Sequence, residues 1–387
     1  MTQGLASEEN KKICDRKIKK KCVFFDVCQT SAMPRFMKLI IKVFAFILSM
    51  TVLTVAGFLL FLRITEYKPV PAERLTVKGT GEKLPEGQRN FTFFTWNIGY
   101  GGLGKEMDFF YDGGKQTRPD KMKFHDYLQG IEIIIRQYDT TDFIFLQEID
   151  VRSKRSYFMD EKSTIFNILP NHCSSFAGNY NCRYVPFPFK DPMGKVVSGL
   201  ATISKFQPSI AERISFPTDF SWPKHLFFLK RCFLVTRYPL TGGKQLVVIN
   251  THNSTYDDEG ILRKTELSTL HKFITIEFSK GNYVIAGGDW NNNPRGFDPK
   301  KINTGDAVKI IEPLIDTSFL PGWRFVFDTL SPTNRDVSIP YSKGKTKTTI
   351  IDFFIVSPNI EIQFIKTLVN NFEYSDHNPV IMKIVLR

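Results

Sequence analysis

Read for its alternation of apolar and polar positions, the chain changes character near residue 65. Residues 43–62 read VFAFILSMTVLTVAGFLLFL, twenty residues without a charge. A helix of about 20 apolar residues spans a bilayer, and a core helix of that length would show a polar face, so this run predicts one transmembrane helix. Beyond it, short apolar runs alternate with polar loops. Residues 91–96, 143–146, 200–203, 233–238, 246–249, 283–286, 350–356 and 380–385 carry the aromatic and β-branched content of buried strands. Two stretches follow three- and four-residue spacing instead: Phe124, Tyr127, Leu128, Ile131, Ile134, Ile135 and Tyr138 in one, and Leu267, Leu270, Ile274 and Phe278 in the other. Both predict amphipathic helices packed on a sheet. Strands outnumber helices, and Thr241-Gly242-Gly243 reads as a hairpin link, so the pattern is that of an α/β protein with mixed sheets and outer helices.

The polar residues that interrupt this pattern are not scattered. Trp96-Asn97, Gln147-Glu148, Thr251-His252, Gly288-Asp289-Trp290-Asn291 and Ser375-Asp376-His377 each adjoin an apolar run, and Asp352 lies inside one. Strand ends that share a rim are where α/β enzymes hold their chemistry. The set is rich in oxygen: Glu148, Asp289, Asp352 and Asp376 with Asn97 and Asn291, completed by His252 and His377. Such donors suit a hard divalent cation, Mg²⁺ or Mn²⁺, which retains open positions for water and phosphate oxygens. No cluster shows the paired His or Cys spacing of a zinc site.

These words, in this order, resemble the endonuclease/exonuclease/phosphatase superfamily, from residue 91 to the C-terminus. Any one is weak alone; six in order are specific. The resemblance implies a DNase I-like four-layer sandwich, with two mixed β-sheets packed face to face, helices on both outer faces, and halves related by pseudo-symmetry. It implies Asn97, Glu148 and Asp376 near the metal. Asp289 would orient the attacking water and Asn291 would stabilise the phosphorus centre. His252 would donate to a phosphate oxygen or the leaving group, and Asp352 would fix His377, which acts as base or as phosphate ligand. Thr251-His252 stands where the abasic-site repair branch carries an additional tyrosine and asparagine, so the chain is more similar to the secreted nuclease, sphingomyelinase and phosphoinositide phosphatase branches. Ile350 stands where the family often has arginine, so a phosphate contact common in the family is either absent here or supplied by Lys343, Lys345 or Lys347. His125, His172, His225 and His271 lack such neighbours and read as structural or exposed. The charge run 150–155 reads as a solvated face, with a grip on a second phosphate as the rival.

Charge and cysteine usage bear on placement. The net charge is +13, and residues 1–42 hold eight lysines and two arginines. Positive residues stay cytoplasmic, so a basic cytoplasmic tail (1–42), a transmembrane helix (43–62), a Pro- and Gly-containing linker (63–90) and an extracytoplasmic catalytic domain (91–387) are expected in the cell membrane. A cleaved signal peptide is the rival reading, against which stand the length of the run and the lack of a small-x-small site. Cys173 and Cys182 are equally consistent with a disulfide closing a loop and with free thiols. The anionic phosphate-ester substrate is a lipid headgroup or a nucleic acid; an anchored nuclease and a scaffold without turnover are the alternatives to a lipid phosphodiesterase. Trp222, Phe227 and Phe228 belong to the core or to a membrane-facing surface.

Overall fold

The computed structural model describes residues 33–387 except 218–219, 256, 258–259, 303–311 and 317. Most of the expected cytoplasmic tail lies outside the described residues. The chain forms two compact units, Met1–Phe61 and Leu62–Arg387. Helix α1, Arg35–Ile64, has 30 residues and a mean hydropathy of 2.4 over its most apolar window, enough by length and composition to cross a membrane. It starts before the apolar run because Arg35, Lys38 and Lys42 are good helix formers.

The second unit carries two sheets. One has six strands in the order β14-β15-β2-β3-β5-β4, with β2 Asn90–Asn97, β3 Phe143–Asp150, β4 Cys173–Val185, β5 Gly194–Ser204, β14 Ile360–Thr367 and β15 Val380–Leu386. The other has seven in the order β1-β6-β7-β8-β9-β13-β10, with β1 Ala72–Arg74, β6 Ile210–Ser215, β7 Cys232–Pro239, β8 Gln245–His252, β9 Tyr283–Asp289, β10 Arg324–Val326 and β13 Asp352–Val356. A short pair, β11 Asn334–Arg335 and β12 Thr348–Thr349, stands at the rim.

Each sheet is built around one parallel pair. In the first, β2 and β3 are joined through α2, Lys121–Gln137; in the second, β8 and β9 are joined through α4, Ile261–Ser279. An antiparallel strand flanks each side of each pair, so the halves repeat one motif.

Period-two alternation explains the layers. Phe91, Phe93, Phe143 and Phe145 face the other sheet and meet Tyr238, Val248, Ile285 and Phe354, all fully buried. Phe93 stacks on Phe143 at 4.8 Å and meets Phe145 and Phe354 edge-on. Each such side chain contributes about 1.5–3 kcal/mol by leaving water. Phe94, Trp96, Ile144 and Leu146 face outward, under Ile131 and Ile135 of α2 and Ile165 of α3, Glu161–Ile168. On the far side Val247, Ile249, Val284 and Ala286 lie beneath Leu270 and Ile274 of α4. The result is the DNase I-like sandwich of two packed sheets between helical layers.

One expectation is corrected, and one choice left open falls to free thiols. Residues 63–90 do not form a free linker. Backbone bonds lay them along the domain, as Ala72–Arg74 pairs with β6, Lys78 bridges Ser174 and Glu82 bridges Phe206. The Cys173–Cys182 disulfide does not form: both residues lie in β4, nine positions apart. At about 3.3 Å per residue they are roughly 30 Å apart, far beyond the ~7 Å limit for a bridge.

Candidate active site

The site lies where β2, β3, β8 and β9 end. Along β3, Ile144 and Leu146 point to the helices and Phe145 and Gln147 to the other sheet, so simple alternation would aim Glu148 at the helical layer. A bulge intervenes: between Leu146 and Ile149 the pairing with β5 slips, and Glu148 adopts a left-handed φ of 56°. The extra residue redirects the Glu148 side chain into the cleft. Asn291 has a comparable φ of 46° after β9, and Tyr100 one of 44° after β2. Three left-handed non-glycine residues at one rim mark the strain that functional sites store.

Beneath them an amide pair ties the sheets. Gln147 Nε2 donates to Asn250 Oδ1 across the sandwich at 2.8 Å, and Asn250 Nδ2 donates to the carbonyl oxygens of Ala201 and Leu146. The turn carrying Asp376 and His377 is tied to β2. Trp96 Nε1 donates to the His377 carbonyl at 2.8 Å, and Ser375 Oγ donates to the Asn97 carbonyl at 2.7 Å.

Around Asp289 the expected residues converge. Asn97 Nδ2 donates to Asp289 Oδ2 at 2.9 Å and to Glu148 Oε1 at 3.2 Å. His252 Nε2 lies 3.4 Å from the same Asp289 oxygen, and His377 Nε2 lies 3.8 Å from it. Asp352 faces Asp289 in the β9–β13 register and contacts His377 Nδ1 at 2.7 Å. Asp376 Oδ2 is 4.0 Å from His377 Nε2. The Asn291 backbone N–H donates to Asp289 Oδ1, while its side-chain amide donates to the Asn253 carbonyl, which fixes the turn. All eight expected residues are thus brought together. His125, His172, His225 and His271 do not line the cavity over this cluster.

Burial and charge drive the titrating groups apart. Burial, with the positive charges of Arg231 and His377, holds His252 well below the usual histidine range. Burial also opposes the charged form of His377, but Asp352, Asp376 and Asp289 outweigh it and raise its pKa to about 10. The Asp289–His252 contact is therefore one between a carboxyl group and a neutral imidazole, not an ion pair. Burial raises Asp289 to about 6 and Asp376 to about 7, with His377 pulling both down.

A cavity of about 340 Å³ opens over these groups. Among its further polar residues are Asn334, Arg335 and Arg231, which the sequence pattern did not single out. Asn334 Nδ2 lies 3.0 Å from His377 Nε2, and Arg335 is buried with its guanidinium on the carbonyls of Leu103, Gly104 and Met107. Arg231 donates to the His252 carbonyl at 3.4 Å. Arg155, expected on a solvated face, is buried in a two-pronged pair with Asp150 and lies over the Tyr100 ring, 3.6 Å from its centroid. Lys343, Lys345 and Lys347 do not line the cavity.

Four carboxyl groups crowd round His377, while the guanidinium groups of Arg231 and Arg335 are held by backbone carbonyls and that of Arg155 by Asp150. That crowding and the oxygen-rich donors fit a divalent cation. Ligand atoms of Asp289, Asp352 and His377 lie within 4.8 Å of one another, although the Asp352–His377 contact already occupies one atom of each.

A two-sheet sandwich with carboxylates, amides and two histidines converging at one rim defines a metal-dependent phosphoesterase. The chain belongs to the Endonuclease/Exonuclease/phosphatase family, whose profile matches residues 94–377. No curated protein matches it significantly. Similar solved structures include an endonuclease/exonuclease/phosphatase from Beutenbergia cavernae DSM 12333, at 15% identity over 77% of this chain and 72% of that one with a TM-score of 0.48. D. rerio TDP2 complexed with single strand DNA product is 15% identical over 76% and 98%, with a TM-score of 0.47. ANGEL2, a 2',3'-cyclic phosphatase, is 15% identical over 81% and 99%, with a TM-score of 0.49.

Proposed function

We propose that this protein is a membrane-anchored, Mg²⁺-dependent phosphodiesterase that hydrolyses a lipid phosphoester outside the cytoplasm. The observation that carries the chemistry is the convergence of Asn97, His252 and His377 on one oxygen of Asp289, from strand ends of both sheets. Asn97, Glu148 and Asp376 hold the cation, with Glu148 the most accessible carboxylate of the cluster at 23% side-chain exposure. When bound, Mg²⁺ supplies Lewis-acid neutralisation of the phosphoryl oxygens.

The other steps belong to side chains. Asp289, its carboxyl group desolvated, accepts a proton from the attacking water and holds that water in line. Asp352 orients His377 through Nδ1, and the charged imidazole stabilises negative charge on the phosphoryl group. His252, neutral, donates a hydrogen bond to the departing oxygen through Nε2, the proton taken by Asp289 passes to that oxygen as the alcohol leaves, and the Asn291 turn supports the phosphorus centre.

Two features favour lipid over nucleic acid. Helix α1 is long and apolar enough for an anchor. The cavity lining also includes the apolar side chains of Leu103, Phe109, Met193, Phe228 and Leu229, which suit the acyl-bearing part of a lipid. The test is Mg²⁺-dependent release by the full chain from sphingomyelin, phosphoinositides, DNA and RNA, with Asp289→Ala as control. Lipid cleavage lost in the variant supports the reading. Cleavage of nucleic acid alone makes the protein an anchored nuclease, and absence of all turnover makes it a scaffold.

A further inference from the structure

We propose that the loop 220–231 and the tip of the β4–β5 hairpin form a docking rim that rests on the bilayer holding the chain's own N-terminal helix, an inference that depends on the anchored reading above. Glu66 lies two residues beyond Ile64, the last residue of α1. Its carboxylate, 6% exposed, takes Lys230 Nζ at 3.1 Å and His225 Nε2 at 3.5 Å, and also pairs with Arg63. Two residues of chain reach at most about 7 Å, so the loop is pinned beside the point where α1 ends.

The loop is then fastened along β4 towards the hairpin. Lys230 N–H donates to the Asn179 carbonyl at 2.7 Å, Tyr180 Oη donates to the Phe227 carbonyl at 2.6 Å, and Cys182 Sγ donates to the Leu226 carbonyl at 3.4 Å. The two segments therefore share one rim. That rim exposes Trp222 at 68% and Phe189 at 81%, with Tyr184 and Phe187 beside them. Phe187 and Phe189 pack on each other at 4.8 Å instead of turning inward.

Basic residues lie among these rings. Lys224 Nζ sits 4.5 Å from the Phe220 ring centre and 4.9 Å from that of Phe228, and Arg183 and Lys190 are exposed on the hairpin. Aromatic rings interleaved with cations match the layered chemistry of a bilayer surface, with apolar acyl chains beneath anionic headgroups. The same segments supply Met193, Phe228 and Leu229 to the catalytic cavity. A membrane-resident phosphoester entering between them keeps its acyl part against the rim while its phosphate reaches Asp289.

The tryptophans allow a direct test. Of the four, Trp96, Trp290 and Trp323 are buried and Trp222 is exposed. The full chain is reconstituted in phosphatidylcholine–phosphatidylglycerol vesicles whose acyl chains are brominated, and flotation and tryptophan emission are both read. Expected are flotation, quenching by the brominated lipid, and loss of that quenching in Trp222→Phe with flotation and far-ultraviolet circular dichroism unchanged. Flotation without lipid quenching of Trp222 overturns the rim and leaves the anchor standing. Protection of Trp222 from aqueous acrylamide without lipid quenching assigns its cover to another protein copy and likewise overturns it. Failure to float removes the anchor and the rim together.

Discussion

Asp289 lies between two imidazoles of opposite protonation state, and that difference depends on Asp352. The Asp352 carboxylate accepts from His377 Nδ1 at 2.7 Å and is the largest favourable influence on the His377 charge. Asp352→Asn removes that charge and lets the amide present a donor to Nδ1. We expect kcat to fall by about 10²–10⁴ with little change in folded content, measured by steady-state kinetics alongside thermal melting. A second residue tests stability rather than turnover. Burial opposes the Glu277 charge, but hydrogen bonds from Arg237 and Lys280 prevail and bring its pKa down to about 2. A depressed carboxylate pKa stabilises the fold above the unfolded value near 4.5 and ceases to do so as pH falls through the folded value. Glu277→Gln is therefore expected to cost on the order of 1–2 kcal/mol at pH 7, a gap that narrows below pH 4.5 and closes near pH 2. Urea unfolding at pH 7, 4 and 3 reads it.

At the scale of elements, the join between β8 and β9 is the most tightly constrained backbone at the rim. Gly288 has φ 135°, and a Cβ there would stand 2.1 Å from the Thr251 carbonyl oxygen, a backbone atom that cannot swing away. Gly288→Ala is expected to destabilise the domain by about 2–4 kcal/mol and to displace Asp289, lowering both the melting temperature and kcat. This element was legible in the sequence because an apolar run of strand length ended in Gly-Gly-Asp, and the same held for β2, β3, β8, α2 and α4. Strand β4 was not legible. Its sequence, CSSFAGNYNCRYV, lacks alternation because it is an edge strand, with α3 over Phe176 and the loop 220–231 fastened along Asn179–Cys182, so small and polar residues suffice elsewhere. Asn334 and Arg335 sit in the polar stretch SPTNRD, which folds over the cavity only through tertiary contacts such as the Asn334–His377 bridge. Arg155 was misread for a related reason: a charge run looks solvated until Asp150, five residues earlier, turns out to lie in the core.

For the whole molecule, the site is also a seam. Glu148 and Asn97 belong to one sheet, Asp289 and Asp352 to the other, and Asp376 to the turn before β15. Like charges gathered across the sandwich weaken its closure when no cation is present, and burial strengthens their repulsion. A cation bound between them stabilises the folded state but not the unfolded chain. Stability should therefore rise with Mg²⁺ by about 2.7 kcal/mol at one hundred times the dissociation constant. Glu148→Gln separates this effect from ordinary salt. In chelator it should unfold at a higher denaturant midpoint than wild type, by on the order of 1 kcal/mol, since one repelling charge is gone. In Mg²⁺ it should gain little, so the two curves cross as the metal is titrated. Parallel curves, with the same Mg²⁺ increment in both proteins, would show that Glu148 does not hold the cation and that the seam is closed by other groups.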